Sequence, residues 1–428
     1  MKLAITSATA VAALMATTLI GPVATAAPTA PAPTTPAPPT VAPQAPAPAA
    51  QAPVKKSFSY FATFTSRQVV SYGNPKGIGN LTITEGTITD GADAKVGTLT
   101  TVMRVVAPSP KKDAELRDTQ SQIQLKDGQI FAQAVNEDPK GKPPVSLHIM
   151  PVTGGTGAYA SARGTLLIRK VGNRYLMAYD LFIDKDLKTT PLTFSNIVTA
   201  TAAGTAAQGI GNVALTRATR GANSYVSVAT RAGATRGAVT DAIDLQIYTA
   251  TGSLFARTIA RSKGGAARNQ VFAVLGGTGS YAGHRGELTL SANGRSITAK
   301  LAAPGGSSKP LNWIETLGPV TSVAIPGGTF RAAQGEMFAD PARKKGLGKY
   351  FASETTYDVI DGVTPVVTML EQEFATGTMI VTGISVATGT AALRPIVGGS
   401  GDYGGAAGQV SSEEMPSGLW KKSARFWR

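Results

Sequence analysis

One pattern constrains this chain more than any other. Gly154-Gly155-Thr156-Gly157, Tyr159 and Ala162-Arg163-Gly164 recur as Gly276-Gly277-Thr278-Gly279, Tyr281 and His284-Arg285-Gly286, then as Gly398-Gly399-Ser400-Gly401, Tyr403 and Ala406-Ala407-Gly408. The first glycines of successive copies stand 122 residues apart both times. A constant period of this length is the mark of a repeated structural unit. A second, weaker anchor reads Gly77-Ile78-Gly79-Asn80, Gly209-Ile210-Gly211-Asn212 and Gly346-Leu347-Gly348-Lys349, and its distance to the first pattern shrinks from copy to copy.

The segments between the anchors favour strand. Gly97–Val106 and Gln122–Leu125 are rich in β-branched or alternating residues, and Asp127-Gly128 reads as a turn. Val171-Gly172-Asn173 and Asn293-Gly294 each separate two alternating runs, as in hairpins. No long stretch carries an apolar period near 3.6 residues. The expected fold is all-β, three tandem small antiparallel barrels of about eight strands each. The expected bounds are 54–187, 188–305 and 306–428. In the glycine-rich pattern, each glycine is free to take positive φ, so the chain can reverse tightly between strands.

The first 26 residues read as a signal peptide. Lys2 is the one charge of the n-region, an apolar run spans Leu3–Ile20, and Ala24-Thr25-Ala26 suits cleavage. Residues 27–53 are almost all Ala, Pro, Thr, Val and Gln, a composition with too little to bury to offset its ordering entropy. The expected location is therefore secreted or periplasmic. The chain has no Cys, which excludes disulfides, thiol nucleophiles and Cys-based zinc sites. Its two His, His148 and His284, exclude a multi-His metal site or a His triad in every copy.

The ordered pattern of glycine-rich turn, aromatic and Ala-Arg-Gly before a final hairpin resembles the dirigent and allene oxide cyclase barrel superfamily. Copy 1 extends the likeness. Ile88-Thr89-Asp90-Gly91-Ala92-Asp93 with Val96-Gly97 is similar to the Leu-Thr-Glu-Gly-Pro-Asp segment and following Val-Gly of plant dirigent proteins. The resemblance covers copy 1 nearly end to end and mainly the second half of copies 2 and 3. It implies an eight-stranded barrel with an apolar pocket open at one end. Its members cyclise a reactive precursor, or steer coupling of phenolic radicals made by a separate oxidase, without a cofactor or metal. Holding one conformer and placing a few polar groups is then the whole of the chemistry.

On that resemblance the catalytic candidates are Glu85 and Arg163. A carboxylate at Glu85 would act as general base or stabilise a developing cation, or else is a solvated strand end. Arg163 would lie near the pocket or face solvent. If the two meet, the guanidinium favours the ionised carboxylate. Ligand contact is assigned to Tyr159, Tyr281, Tyr403, Arg285 and Glu354, with core or rim packing the alternative for the tyrosines. Measured from the weak anchor, Glu85 corresponds to Arg217 and then Glu354; Arg163 corresponds to Arg285 and then Ala407. Copy 1 alone keeps both groups, so activity is expected there.

The net charge of +15 suits an anionic partner. From Lys188 to Ala303 twelve Lys or Arg stand against three acidic residues. They are scattered without interleaved aromatics, which argues against nucleic acid and for weak contact with an anionic envelope. The expected function is cofactor-free cyclisation, isomerisation or coupling of a small hydrophobic substrate. A non-catalytic carrier of hydrophobic molecules and a basic envelope-associated structural protein are the alternatives.

Overall fold

The computed structural model describes residues 52–428 except 141, 143–146, 204–209, 236–237, 264–267 and 387–392. The signal peptide, and the linker up to its last two residues, lie outside the described residues. The described chain is nearly all strand and antiparallel throughout.

Copy 1 contributes β1 (Val54–Val70), β2 (Leu81–Thr89), β3 (Lys95–Pro108), β4 (Ala114–Leu125), β5 (Gly128–Pro139), β6 (His148–Gly155), β7 (Arg163–Val171) and β8 (Arg174–Ile183), which close into a barrel in that order. The long β1 makes closure possible. Its first half pairs with β8 and its second with β2, with a bulge between Phe64 and Ser66.

In the other two copies this strand is broken. Copy 2 runs through β9 (Lys188–Thr193), β10 (Asn196–Ala202), β11 (Val213–Arg220), β12 (Asn223–Thr235), β13 (Ala238–Thr249), β14 (Gly252–Lys263), β15 (Gln270–Gly279), β16 (Arg285–Leu290) and β17 (Ser296–Ala302). Here β9 pairs with the last strand and β10 with the second, and the buried Phe194 sits at the break. Copy 3 runs through β18 (Lys309–Glu315), β19 (Val320–Ile325), β20 (Gly328–Phe338), β21 (Gly346–Tyr357), β22 (Pro365–Phe374), β23 (Gly377–Val386), β24 (Arg394–Gly399), β25 (Ala407–Glu414) and β26 (Trp420–Trp427). Its break falls at Thr316-Leu317-Gly318-Pro319, where Pro319 has no N–H to give a ladder. Pairing of β18 with β20 at Ile314–Phe338 and Glu315–Met337 closes this ring.

The weak anchor is corrected by this topology. Gly77–Asn80 and Gly209–Asn212 precede the second strand of their copies, β2 and β11. Gly346–Lys349 instead opens β21, the third strand of copy 3. Glu354 therefore lies on a different strand from Glu85 and Arg217, and is not their counterpart.

Each barrel has its own apolar core, and a fourth core is shared. The shared cluster takes Phe131 and Val135 from copy 1, Val226 and Phe255 from copy 2, and Phe330 and Ile380 from copy 3, among others. Each such side chain contributes roughly 1.5–3 kcal/mol when removed from water. The counterparts β6, β15 and β24 meet pairwise at the centre, so the three barrels pack as a ring.

The glycine-rich pattern explains how they approach. A Cβ on Gly154 would lie 2.6 Å from Leu275, one on Gly276 would lie 3.0 Å from Pro395, and one on Gly398 would lie 3.2 Å from Pro151. Copy 1 thus needs its first glycine against copy 2, copy 2 against copy 3, and copy 3 against copy 1. The second glycines, Gly155, Gly277 and Gly399, leave room for the carbonyls of Tyr159, Tyr281 and Tyr403. Within each Gly-Gly-Thr-Gly or Gly-Gly-Ser-Gly run only the third glycine has positive φ, at 61°, 61° and 56° for Gly157, Gly279 and Gly401. The expectation that every glycine of the pattern serves turn conformation is corrected accordingly. Two of the three are there for close approach.

A second threefold set crosses the ring. Gln122 of β4 donates to the Ile259 carbonyl at 3.4 Å, Gln246 of β13 accepts from the Ile384 N–H at 3.1 Å, and Glu371 of β22 accepts from the Val135 N–H at 2.5 Å.

Candidate functional site

Glu85 and Arg163 do not meet. Glu85 is on the outer face of barrel 1 toward copy 2, where its Oε1 accepts from Thr240 Oγ1 at 3.1 Å. Leu81 and Ile83, on the same face of β2, pack with Ile210 and Ala232 of copy 2. Arg163 pairs instead with Asp184 at 2.5 Å. The alternation of β2 was legible, but which face turns inward depends on the neighbouring barrel.

Arg285 is buried where the three copies join. Its guanidinium donates to the carbonyls of Thr153 at 3.0 Å, Val397 at 3.1 Å and Ala406 at 2.6 Å. It ties copy 2 to copies 1 and 3. The tyrosines pack as ring contacts: Tyr159 against Phe58, Tyr281 against His284, and Tyr403 between Phe374 and Phe426.

Barrel 1 is filled at one end by Ile123, Ile130, Met150, Leu166 and Met177 among others. Farther along the same inward faces, alternation brings a charged cluster inside. Arg117 holds Glu115 at 2.7 Å and lies 3.7 Å from Asp138, which is 3.2 Å from His148. Arg117 also donates to the carbonyls of Pro139 and Lys142. Between barrels 1 and 2 lies an open cleft of about 1150 Å³ lined largely by Thr, Ser, Asn and Gln, with Glu85 on its wall.

Barrel 3 holds the arrangement best suited to chemistry. Inside it is a cavity of about 300 Å³, walled by Leu317, Ala333, Tyr350, Ala352, Leu370 and Trp420 and reached by six charged side chains. Three are acidic, Glu315, Glu354 and Glu414, and three basic, Arg331, Arg394 and Lys422. Alternation along β26 turns Trp420, Lys422, Ala424 and Phe426 inward, and on β18 turns Trp313 and Glu315 inward beside them.

The charges are unequally satisfied. Glu315 accepts from Trp313 Nε1 at 2.8 Å and pairs with Lys422 at 3.2 Å, and Lys422 also donates to Ser412 at 2.8 Å. Burial lowers the Lys422 pKa, with Glu315 opposing it. Arg331 lies 3.5 Å from Glu354, its cross-strand neighbour, yet its Nε and Nη1 make no hydrogen bond. Arg394 Nε, Thr368 Oγ1 and Glu414 Oε2 also lack partners. Five of the fifteen buried polar atoms without a partner among the described residues thus converge on this one cavity. Burial likewise lowers the Arg394 pKa, with Glu354 opposing it. Tyr350 donates to the Thr316 carbonyl at 2.8 Å, and burial raises its pKa. That bond ties the cavity wall to the break in the first strand, where the partly exposed Leu317 stands.

Of these residues, sequence reasoning singled out only Glu354. A strand-by-strand comparison of the copies carries the missed signal. Ladder register aligns Arg394 with Met150 and Phe272, and Lys422 with Met177 and Ile297. Copy 3 places charges where its siblings place apolar filler.

No family model matches this chain, and no curated protein matches it in sequence. Solved structures similar to parts of it include a pyocyanin demethylase, 21% identical over 29% of this chain and 99% of that one, with a TM-score of 0.25. The Diels-Alderase AbmU from Streptomyces koyangensis is 16% identical over 31% of this chain and 64% of its own, also at 0.25. AbnU, an exo-specific intermolecular Diels-Alderase, is 16% identical over 28% and 98%, at 0.24.

Proposed function

We propose that copy 3 is the working barrel, and that it binds a small, mainly apolar molecule and steers its cyclisation or isomerisation without a cofactor. The supporting observation is the cavity of about 300 Å³ with convergent, incompletely satisfied polar groups. Such a space encloses roughly a dozen non-hydrogen atoms, at the low end of small-molecule sites. Its apolar walls would hold one folded conformer of a flexible precursor, bringing the reacting atoms together. Polar groups fixed in place before the reaction would stabilise charge as it develops, at no cost of reorganisation. The dirigent and allene oxide cyclase resemblance points to the same class of reaction. On the reading of residues 1–26 as a signal peptide, the protein acts outside the cytoplasm.

The test follows a panel of unsaturated carbonyl compounds of that size by mass spectrometry. Wild-type protein should convert at least one, and Ala352→Trp, which fills the cavity, should abolish the conversion. A carrier would bind members of the panel in barrel 3 and return them unchanged. Conversion that survives Ala352→Trp would move the site elsewhere.

A further inference from the structure

We infer that the ligand of the copy 3 cavity carries a carboxylate or an equally acidic enolate, and that Arg394 is the residue that binds it. The inference rests on the reading of this cavity as a binding site. Among its unpartnered atoms, three are guanidinium nitrogens that can only donate: Arg331 Nε, Arg331 Nη1 and Arg394 Nε. Glu414 Oε2 and the Thr368 hydroxyl are the other two. Donors from fixed cations therefore dominate what the cavity offers, and their complement is an acceptor oxygen bearing charge.

The carboxylates in the cavity are mostly spoken for. Glu315 is held by Trp313 and Lys422, and Glu354 by Arg331 and by Thr356 Oγ1 at 3.4 Å. Arg394 is 8% exposed and makes no ion pair with a described carboxylate. A guanidinium left so costs free energy, because it has given up water while Glu354 and Glu315 act on it only from beyond ion-pair distance. The barrel does not need it. Met150 and Phe272 fill the matching positions of copies 1 and 2. A costly charge at a position the fold fills with hydrocarbon twice over is accounted for by a ligand. A cationic ligand would find Glu315 and Glu354 already paired with Lys422 and Arg331, and Glu414 Oε2 as the one unpartnered carboxylate oxygen of the cavity among the described residues.

Octanoate, methyl octanoate and octylamine share one chain and differ in charge. Titration calorimetry on the full folded chain at neutral pH should show octanoate binding at least about tenfold tighter than the ester, as expected of charge-assisted bonds. Octylamine should not displace it. Arg394→Met should lose this preference and leave the ester unaffected, and it should fold, because Met150 occupies the matching place in copy 1. Arg394→Gln, which keeps donors but not charge, should behave similarly. Equal or tighter ester binding in the wild type, or a preference that survives both substitutions, overturns the inference while leaving the cavity reading intact. If none of the probes binds, or if octanoate and ester bind equally well to Ala352→Trp, the cavity reading fails and this inference with it.

Discussion

Glu371 offers the sharpest test of how the ring of barrels is held. Two of three equivalent positions in the ring carry glutamine, Gln122 and Gln246, and the third carries Glu371. All three reach from the fourth strand of one copy to the backbone of the next. Burial raises the Glu371 pKa from its ordinary 4.5 to about 8, with the Val135 N–H opposing and Glu373 and Asp118 adding to it. At neutral pH the side chain is then mainly a neutral acid, an oxygen analogue of its glutamine siblings. The folded state holds this proton more tightly than the unfolded chain does. The Glu371 contribution to stability is therefore fully present below about pH 4.5, falls as pH rises toward 8, and loses no more above that. At about 1.4 kcal/mol per pH unit, the loss at pH 7 is about 3 kcal/mol and approaches about 5 kcal/mol above pH 8. Glu371→Gln keeps an acceptor for Val135 and removes the titration. Denaturant unfolding of both proteins from pH 4.5 to 9 should show curves that meet at the acid end, with the variant ahead by a few kcal/mol at the alkaline end. Other ionisable groups cancel in the difference. A gap that does not change with pH, or a variant less stable throughout, would refute the argument.

Gly276→Val should destabilise the fold by about 1–3 kcal/mol in thermal unfolding, because an added Cβ already lies 3.0 Å from Pro395 of the adjoining barrel. Lys422→Met should cost about 3–5 kcal/mol by leaving Glu315 buried and unpaired, whereas Glu315→Leu with Lys422→Met should recover most of that loss in a double-mutant cycle. Glu85→Gln should leave octanoate binding unchanged by calorimetry, since Glu85 faces Thr240 between barrels 1 and 2 rather than the copy 3 cavity.

The all-β class and the threefold repeat were legible because they depend on local pattern. A turn or an alternating run reports itself wherever its barrel lies. Orientation was not local. Both faces of β2 are buried, Ile88 in the core of barrel 1 and Leu81 and Ile83 against Ile210 and Ala232 of copy 2, so its alternation alone did not tell the inward side from the outward one. The glycine-rich pattern was read as structural, but its first glycine serves a neighbour more than a hundred residues away in another copy, which no local rule reports. The weak anchor misled for a related reason. Gly346-Leu347-Gly348-Lys349 has the right composition on the wrong strand, and it carried Glu354 into a false correspondence with Glu85. Glu354 does line the copy 3 cavity, although it was reached through that false correspondence.

Joining three barrels in one chain explains why their interiors differ. In a ring of identical subunits, a substitution appears in all three at once. Here each position varies alone, and the differences are sorted by location. Where the barrels touch, the copies keep equivalent devices: a glycine against each neighbour and an amide or neutral acid reaching across. At the junction the copies differ: Arg285 donates to copies 1 and 3, its counterpart Arg163 pairs with Asp184 against Gly405 of copy 3, and Ala407 brings no charge. Inside the barrels, copy 1 gathers its buried charges into one ion-paired cluster, in which the Asp138 oxygens still lack a hydrogen bond, while copy 3 leaves several charges facing a cavity. A buried ion cluster adds little net stability over hydrocarbon of the same shape. Charges left unsatisfied beside empty space are worse still for the fold, so stability does not explain their presence in copy 3. The shared core of the ring buries apolar side chains from all three copies, and this common contribution offsets the cost of a less than optimally packed interior in barrel 3, where the proposal places a ligand.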